Sequence, residues 1–161
     1  MALEASETGH LVVGTLNTTS AHKTIDRLVE SFPPNEQPQV RLGLSESLQV
    51  VICQRLLPAL GGGLCACFEM LLATHAVRTM IRDNKTYQLP GAMQMGKSRG
   101  MRTRDMALEE LVEQRKISPE DAYMRCEDKA RFEPLVSPEF LAEVTSFSGG
   151  GSTDAAAQGD S

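Results

Sequence analysis

Residues 91–98 contain side chains that bind nucleotide phosphates, at the spacing that phosphate sites use. Gly91 and Gly96 are followed by Lys97 and Ser98, which fits the pattern G-x-x-x-x-G-K-[ST]. In such a loop the glycine backbone holds phosphate oxygens, the lysine reaches the terminal phosphates and the hydroxyl binds Mg²⁺. The pattern requires a preceding apolar strand and a helix that begins at the lysine. Neither signal flanks this stretch, so we interpret the match as fortuitous.

A second group of polar side chains follows a short apolar run. The run is bounded by turn signals, and we expect a buried strand over Leu11–Leu16. In open α/β sheets, ligands bind outside the carboxyl ends of the strands, which is where hydroxyl and amide groups occur here. The candidate site residues in and around this strand are His10, Thr15, Asn17, Thr18 and Thr19.

Asn17 and His10 each allow two interpretations. Asn17 can donate and accept hydrogen bonds, but it cannot act as a base. It either senses a phosphate or orients water, or it belongs to a polar strand end that caps the next helix. His10 lies seven residues earlier, roughly 20 Å in extended chain, so the two should not share one site. For His10, a structural or interface role stands beside a nucleotide contact.

The elements that must position these groups follow an α/β pattern. We expect strands at 11–16 and Leu64–Leu71 in one parallel sheet, with helices at Ala21–Phe32 and Glu36–Leu57 beside it. Thr74 is expected to cap a helix through Asp83. Residues 89–100 are expected to form a short helix or turn pair. Further helix starts are predicted at three capping residues, Thr103, Ser118 and Ser137.

Composition restricts the class of protein. The chain has 161 residues, of which 41% are hydrophobic, enough for one core. Its formal net charge of −5 disfavours nucleic acid as a partner. No run of 18 apolar residues occurs, so we expect no direct membrane insertion.

The cysteines are predicted to be reduced core thiols of a cytosolic protein. Cys65 and Cys67 would share one face of a strand, but no second pair of ligands lies nearby. We therefore predict no metal site. The remaining two cysteines are Cys53 and Cys126.

The sequence TGHLVVGTLNTTSA at residues 8–21 resembles the histidine box of secretion and pilus motor ATPases, in particular the type IV pilus retraction ATPases. The resemblance continues, in the same order, through KTIDRLVESFPPNEQPQVRLGLSESL, AVRTMIRDNKTYQLPGAMQMG and the helix at 101–117. It covers residues 1–126. It implies the carboxyl-terminal part of a RecA-like P-loop ATPase core at 1–83 and a helical region at 84–145. From composition, a disordered tail is expected at 146–161.

The resemblance also implies a function. The family's enzymes are ATP- and Mg²⁺-dependent motors that retract pili, expected as hexameric rings in the cytoplasm, peripheral at the inner membrane through the pilus machinery. The family's phosphate loop and acidic motif lie upstream of the histidine box, and its second histidine is Asn17 here. We therefore expect a carboxyl-terminal fragment, from truncation or a split gene. Alone, it should hold no demonstrable cofactor and turn over no ATP.

Residues 76–82 resemble the AIRNLIR motif, which the family ties to pilus retraction. Two arginines at i and i+4 share one helix face and apolar residues form the other. This predicts a helix that docks by its apolar side, exposes both charges and couples nucleotide state to movement. The plainer interpretation is a solvated basic face. Glu69 is expected to pair with one of the arginines. The motif positions are Ala76, Val77, Arg78, Met80, Ile81 and Arg82.

Two alternative functions stay open. The chain is either a non-catalytic interaction or regulatory module that joins a ring of full-length paralogues, or a fragment of a related secretion or pilus-assembly ATPase. The paired arginines argue against the second alternative.

Overall fold

The computed structural model describes residues 5–6 and 8–149. A β-hairpin is packed between helices that precede and follow it. The elements are α1 Ala21–Glu30, α2 Gln37–Ser47, β1 Val50–Pro58, β2 Leu64–Leu72, α3 His75–Arg82, α4 Leu89–Met95, α5 Arg104–Glu113, α6 Pro119–Arg125, α7 Lys129–Phe132 and α8 Pro138–Gly149. Short 3₁₀ turns lie at Thr86–Gln88, Lys97–Arg99 and Glu133–Leu135.

The hairpin has one buried and one exposed face. Its strands are antiparallel, in a register that runs from Val50 opposite Leu72 to Pro58 opposite Leu64. Side chains alternate along a strand. In β1, Val51 and Leu57 are buried on the inner face, and Ile52 and Leu56 lie on the exposed outer face. The outer face is apolar and exposed, and its large side chains are Val50, Ile52, Leu56, Leu64 and Phe68.

The predicted strand at Leu11–Leu16 is wrong for the described part of the chain. These residues form no strand ladder, and Leu11 is 86% exposed and Val13 is 84% exposed. A strand needs a hydrogen-bonded neighbour, and the sheet described here consists of β1 and β2 alone. The expected parallel arrangement is also wrong, because this pair is antiparallel.

The predicted helix at 36–57 is wrong in its second half. Helix α2 ends at Ser47, Leu48 is extended, and β1 begins at Val50. Helical spacing places Val40 and Leu44 on one buried face, but the β-branched residues after Leu48 favour a strand. The apolar run therefore changes period from 3.6 to 2 within the predicted helix.

Two hydrophobic cores share the hairpin. The first joins α1, α2, α3 and α4 to one end of the hairpin, around Ile25, Leu71 and Ile81. The second joins α5, α6 and α7 to the other end, around Leu57 and Phe132. Helix α4 lies beyond the predicted boundary at residue 84, yet it packs in the first core. The division into regions at 83/84 stays a prediction.

The remaining predicted helix starts are confirmed. The hydroxyls of Thr74, Thr103 and Ser118 accept hydrogen bonds from the backbone N–H groups of Val77, Met106 and Asp121. Strand Leu64–Leu72 is confirmed as well. Helix α8 runs to Gly149 and so overlaps the start of the predicted tail at 146–161. The rest of that tail, 150–161, lies outside the described residues. Within the described ranges, no helix is both long and apolar enough to cross a membrane.

Candidate functional site

The predicted box residues lie in an extended segment that leads into α1. His10 is exposed, and its Nδ1 lies 3.2 Å from the hydroxyl of Thr8. Thr15 and Asn17 are exposed. Among the described residues, no hydrogen bond links His10 to Asn17, and the structure assembles no nucleophile and base around them. Their side chains remain available to a ligand, and their roles stay predictions.

The end of the segment is fixed to the first turn of α1. The hydroxyl of Thr24 donates to the carbonyl of Ser20 at 2.8 Å. The hydroxyls of Thr18 and Thr24 are 2.7 Å apart, so Thr18 donates to Thr24. Thr18 therefore faces the helix, whereas Asn17 faces solvent.

Glu69 of β2 caps the amino terminus of α1. Its Oε1 accepts a hydrogen bond from the backbone N–H of Ala21 at 2.8 Å, while the side chain of the N-cap residue, Ser20, makes no capping bond. A carboxylate at this position interacts favourably with the free N–H groups and the helix dipole. The box and the hairpin are thereby joined.

Arg104 of α5 completes this contact from the other side. Its guanidinium lies 3.8 Å from Glu69 and 3.3 Å from Glu127, and it also donates to the carbonyl of Thr19. Glu69 was expected to pair with Arg78 or Arg82, and that expectation is wrong. One buried ion pair joins the box, the hairpin and the following helices.

Burial raises the pKa of the Glu69 carboxyl above its ordinary value. The hydrogen bond from Ala21 and the charge of Arg104 oppose this shift but are smaller causes, and the charge of Glu127 adds to it. The sequence carries a signal for this residue, because Glu69 shares its strand face with the buried residues Cys67 and Leu71. A carboxylate at a buried strand position needs a partner.

The two arginines of α3 have different environments. Arg78 donates from Nε to the carbonyl of Ala73 at 2.9 Å and from Nη1 to that of Ser45 at 2.8 Å. It also donates to the carbonyl of Glu46, so it satisfies carbonyls at the end of α2. The prediction that Arg78 points away from the protein is wrong. Arg82 is exposed, and Asp83, at 3.2 Å, is its one ion-pair partner among the described residues.

The apolar side of α3 docks as predicted. Val77 and Ile81 are fully buried, and Met80 packs beside them against the first core. Ala76 is exposed. The helix therefore presents Arg82, and not both arginines, to solvent.

The phosphate-loop match folds as helix and turn. Gly91 lies inside α4, and Lys97 and Ser98 form an exposed 3₁₀ turn. No strand leads into the stretch. Gly96 is closely packed, since a Cβ there would lie 2.6 Å from the Sδ of Met101. Close packing against Met101 therefore explains the glycine at position 96 without any phosphate contact.

The cysteines are free thiols. Burial raises the pKa of the thiols of Cys53, Cys67 and Cys126, which disfavours the thiolate needed for metal binding or nucleophilic attack. In the part of the chain that the structure describes, no group of His, Cys, Asp or Glu is arranged to hold a metal ion.

Comparison with known proteins decides the family. The family model for Type II/IV secretion system protein matches residues 1–144. The chain belongs to the type II/IV secretion system protein family. It is 53% identical over 122 residues to the type IV pilus retraction ATPase PilT of Pseudomonas aeruginosa, covering 76% of this chain and 36% of that protein. It is 50% identical over 129 residues to a twitching motility protein of Neisseria gonorrhoeae, covering 80% and 34%.

Solved structures of a pilus retraction motor and of an ATPase share the fold. The crystal structure of the pilus retraction motor PilT with bound ADP superimposes with a TM-score of 0.73 at 45% identity, over 83% of this chain and 37% of that chain. The ATPase DotB of Legionella pneumophila gives a TM-score of 0.64 at 26% identity, over 76% and 33%. The resemblance to pilus retraction ATPases and the α/β class are confirmed. This family member spans about a third of the length of the curated relatives it matches.

Proposed function

We propose that this chain is the carboxyl-terminal part of a motor ATPase that powers retraction of type IV pili. The observation that carries the proposal is the 45% identical superposition on the ADP-bound retraction motor over 83% of the chain. The superposition covers too much of the chain to leave out the box, the hairpin and α3 together.

The whole protein, in this proposal, uses ATP with Mg²⁺ and acts as a hexameric ring in the cytoplasm beside the inner-membrane pilus machinery. Thr15 and Asn17 are exposed at the start of the anchored segment, where they face the nucleotide. Asn17 hydrogen-bonds to phosphate or water and transfers no proton. Arg82 is the exposed cation of α3 through which movement is coupled to a partner.

A chimera tests the proposal. The matched carboxyl-terminal segment of Pseudomonas PilT is replaced by residues 1–126 of this chain and expressed in cells that lack PilT. We expect the chimera to restore twitching, measured as the diameter of the motility zone. A stable, ring-forming chimera that hydrolyses ATP but restores no twitching would contradict a retraction function.

Two single substitutions in that chimera separate coupling from folding. Arg82→Ala removes an exposed charge and should abolish twitching while ATP hydrolysis continues. Lys23→Ala removes an exposed charge from α1 and should change neither. Equal twitching in both variants would exclude Arg82 as the coupling residue.

A second function is favoured by the helical fold of residues 91–98. Because a helix and a turn there do not form a phosphate-binding loop, this chain alone would not hydrolyse ATP. In this alternative it acts as a non-catalytic module that joins rings of a full-length paralogue. Phosphate release by the purified chain, measured against Lys97→Ala, tests this alternative. Turnover that depends on Lys97 would refute it, and co-purification with PilT in the absence of turnover would support it.

A further inference from the structure

The carboxyl end of the box is held by side chains from later elements of the chain. Residues 11–18 make no backbone–backbone hydrogen bond to another residue that the structure describes. The carbonyl of Thr19, which follows them, accepts a hydrogen bond from Nη2 of Arg104. The N–H of Ala21 donates to Oε1 of Glu69 at 2.8 Å. The ion pair of Glu69 and Arg104 thus holds the backbone on both sides of residue 20.

This ion pair is shielded from solvent. The side chains of Glu69 and Arg104 are 8% and 11% exposed, and the two charged groups lie 3.8 Å apart. Buried charges are screened less than exposed ones, and removal of one partner leaves the other buried and unpaired. The pair therefore favours a single position of the backbone that it contacts.

The first turn of α5 connects the same point to the second core. Nη1 of Arg104 lies 3.3 Å from Oε1 of Glu127, in the loop after α6. The neighbouring Asp105 accepts the N–H groups of Glu127 and Asp128, at 2.9 Å each. Two consecutive residues of one helix turn thus bind the box on one side and the loop at 127–128 on the other. A shift of α5 is transmitted to the box through Arg104.

We propose that Glu69 and Arg104 are positioning residues that set the direction of Asn17 in the motor reaction. Asn17 is exposed and lies two residues before the held carbonyl of Thr19, at most about 7 Å along the chain. A displacement of the held backbone therefore moves the Asn17 amide, and a misplacement of about 1 Å can lower a rate roughly a hundredfold. Both residues act through the backbone and not through the nucleotide. This inference rests on the proposed function, because it assigns a role within that reaction.

NMR relaxation of the complete chain tests whether the ion pair holds the box. Arg104→Gln removes the guanidinium that binds Thr19. Arg102→Gln is the matched control, because its partner is Glu110, at 2.5 Å, and that ion pair includes no box residue. We expect the backbone order parameters of residues 18–20 to fall from about 0.85 to below about 0.6 in Arg104→Gln. They should stay at the wild-type values in Arg102→Gln.

The kinetic consequence is tested in the chimera with Pseudomonas PilT. The chimera is extended to residue 144, the end of the family match, so that it keeps Glu127. Arg104→Gln should lower kcat for ATP hydrolysis about ten- to a hundredfold. The KM for ATP should change less than about twofold, because an interaction made only in the transition state contributes to kcat and not to KM. Arg104→Lys keeps a charged donor toward Thr19 and should recover most of the lost kcat.

Two double variants show whether the effect passes through the box. Glu69→Gln still offers an oxygen to the N–H of Ala21 but loses the charge that faces Arg104. Its combination with Arg104→Gln should be no slower than Arg104→Gln alone, because both substitutions remove the same ion pair. In an Asn17→Ala background, Arg104→Gln should lower kcat no further.

Unchanged order parameters in Arg104→Gln would overturn the proposal. So would an equal loss of kcat in Arg102→Gln, a fully active Asn17→Ala chimera, or an additive loss of kcat in the Asn17→Ala background. A wild-type chimera that folds but hydrolyses no ATP would contradict the proposed function instead. In that case the order parameters of the complete chain still decide whether the ion pair holds the box.

Discussion

The carboxylate of Glu69 accepts a hydrogen bond from the backbone N–H of Ala21 at 2.8 Å, although 48 residues separate them in the chain. The helix after the candidate box is thus capped by a strand and not by its own N-cap serine. Since Arg104 lies 3.8 Å from the same carboxylate, the position of the box depends on residues from two later elements.

Removing the charge of Glu69 should change how stability depends on pH. Glu69→Gln keeps an oxygen that can accept the N–H of Ala21 but no longer titrates. The folded chain raises the pKa of Glu69, so its contribution to the free energy of unfolding is complete below about pH 4.3. It is lost as the pH rises through the raised pKa. Wild type should therefore lose stability relative to Glu69→Gln over this window in urea titrations.

Glu69→Ala serves as the second variant in that series. It leaves the N–H of Ala21 without a partner and should cost about 1–3 kcal/mol throughout. A stability difference between wild type and Glu69→Gln that is constant with pH would contradict a raised pKa.

The arginines of α3 should differ in their effect on stability. Arg78→Ala removes hydrogen bonds to carbonyls of Ala73, Ser45 and Glu46 and should cost about 1–3 kcal/mol. Arg82→Ala removes one exposed contact and should cost at most about 1 kcal/mol. Urea midpoints of the two variants measure this, and equal midpoints would show that the carbonyl contacts contribute nothing.

Packing beneath α3 should dominate its stability. Ile81 is fully buried, so Ile81→Ala should lower the free energy of unfolding by about 2–5 kcal/mol. Ile52 lies on the outer face of β1 and is 55% exposed, and the same truncation there should cost less than about 1 kcal/mol. Thermal melts of the two variants check this. A larger loss of stability in Ile52→Ala than in Ile81→Ala would contradict the assignment of Ile81 as buried and Ile52 as exposed.

The glycines of the phosphate-loop match should respond unequally to alanine. A Cβ added at Gly91 would meet no neighbouring group within 4 Å, whereas a Cβ at Gly96 would lie 2.6 Å from the Sδ of Met101. Gly91→Ala within α4 should be neutral or stabilising by up to about 1 kcal/mol. Gly96→Ala should cost about 1–3 kcal/mol through overpacking. Urea denaturation of both variants measures the difference in their free energies of unfolding. Equal values would mean that Met101 moves aside at no cost.

Helix starts and buried helix faces were predicted from short sequence patterns, because neighbouring residues determine both. Capping hydroxyls at Thr74, Thr103 and Ser118 marked helix starts correctly, because the cap and the N–H it satisfies are three residues apart. The apolar spacing in α3 identified its buried face. The boundary between α2 and β1 was missed because apolar residues continue through it, and only the change of period separates the two structures.

Long-range partners could not be predicted from those patterns. Extended backbone at 11–16 follows from its composition, but a strand also needs a neighbour, and no local signal supplies one. Helical spacing placed Arg78 on the polar face of α3, so its side chain was expected in solvent. Its carbonyl partners in α2 lie more than thirty residues earlier. The pairing of Glu69 with Arg104 likewise depends on how separate elements meet.

The shared hairpin has a consequence for cooperativity. Its nine-residue strands, roughly 30 Å long, contribute Val51 and Leu71 to one core and Leu57 and Cys67 to the other. Melting of either core would leave half of the same ladder unsupported, and a two-stranded ribbon has little stability of its own. The helices on both sides should therefore lose their amide-exchange protection together, as one unit.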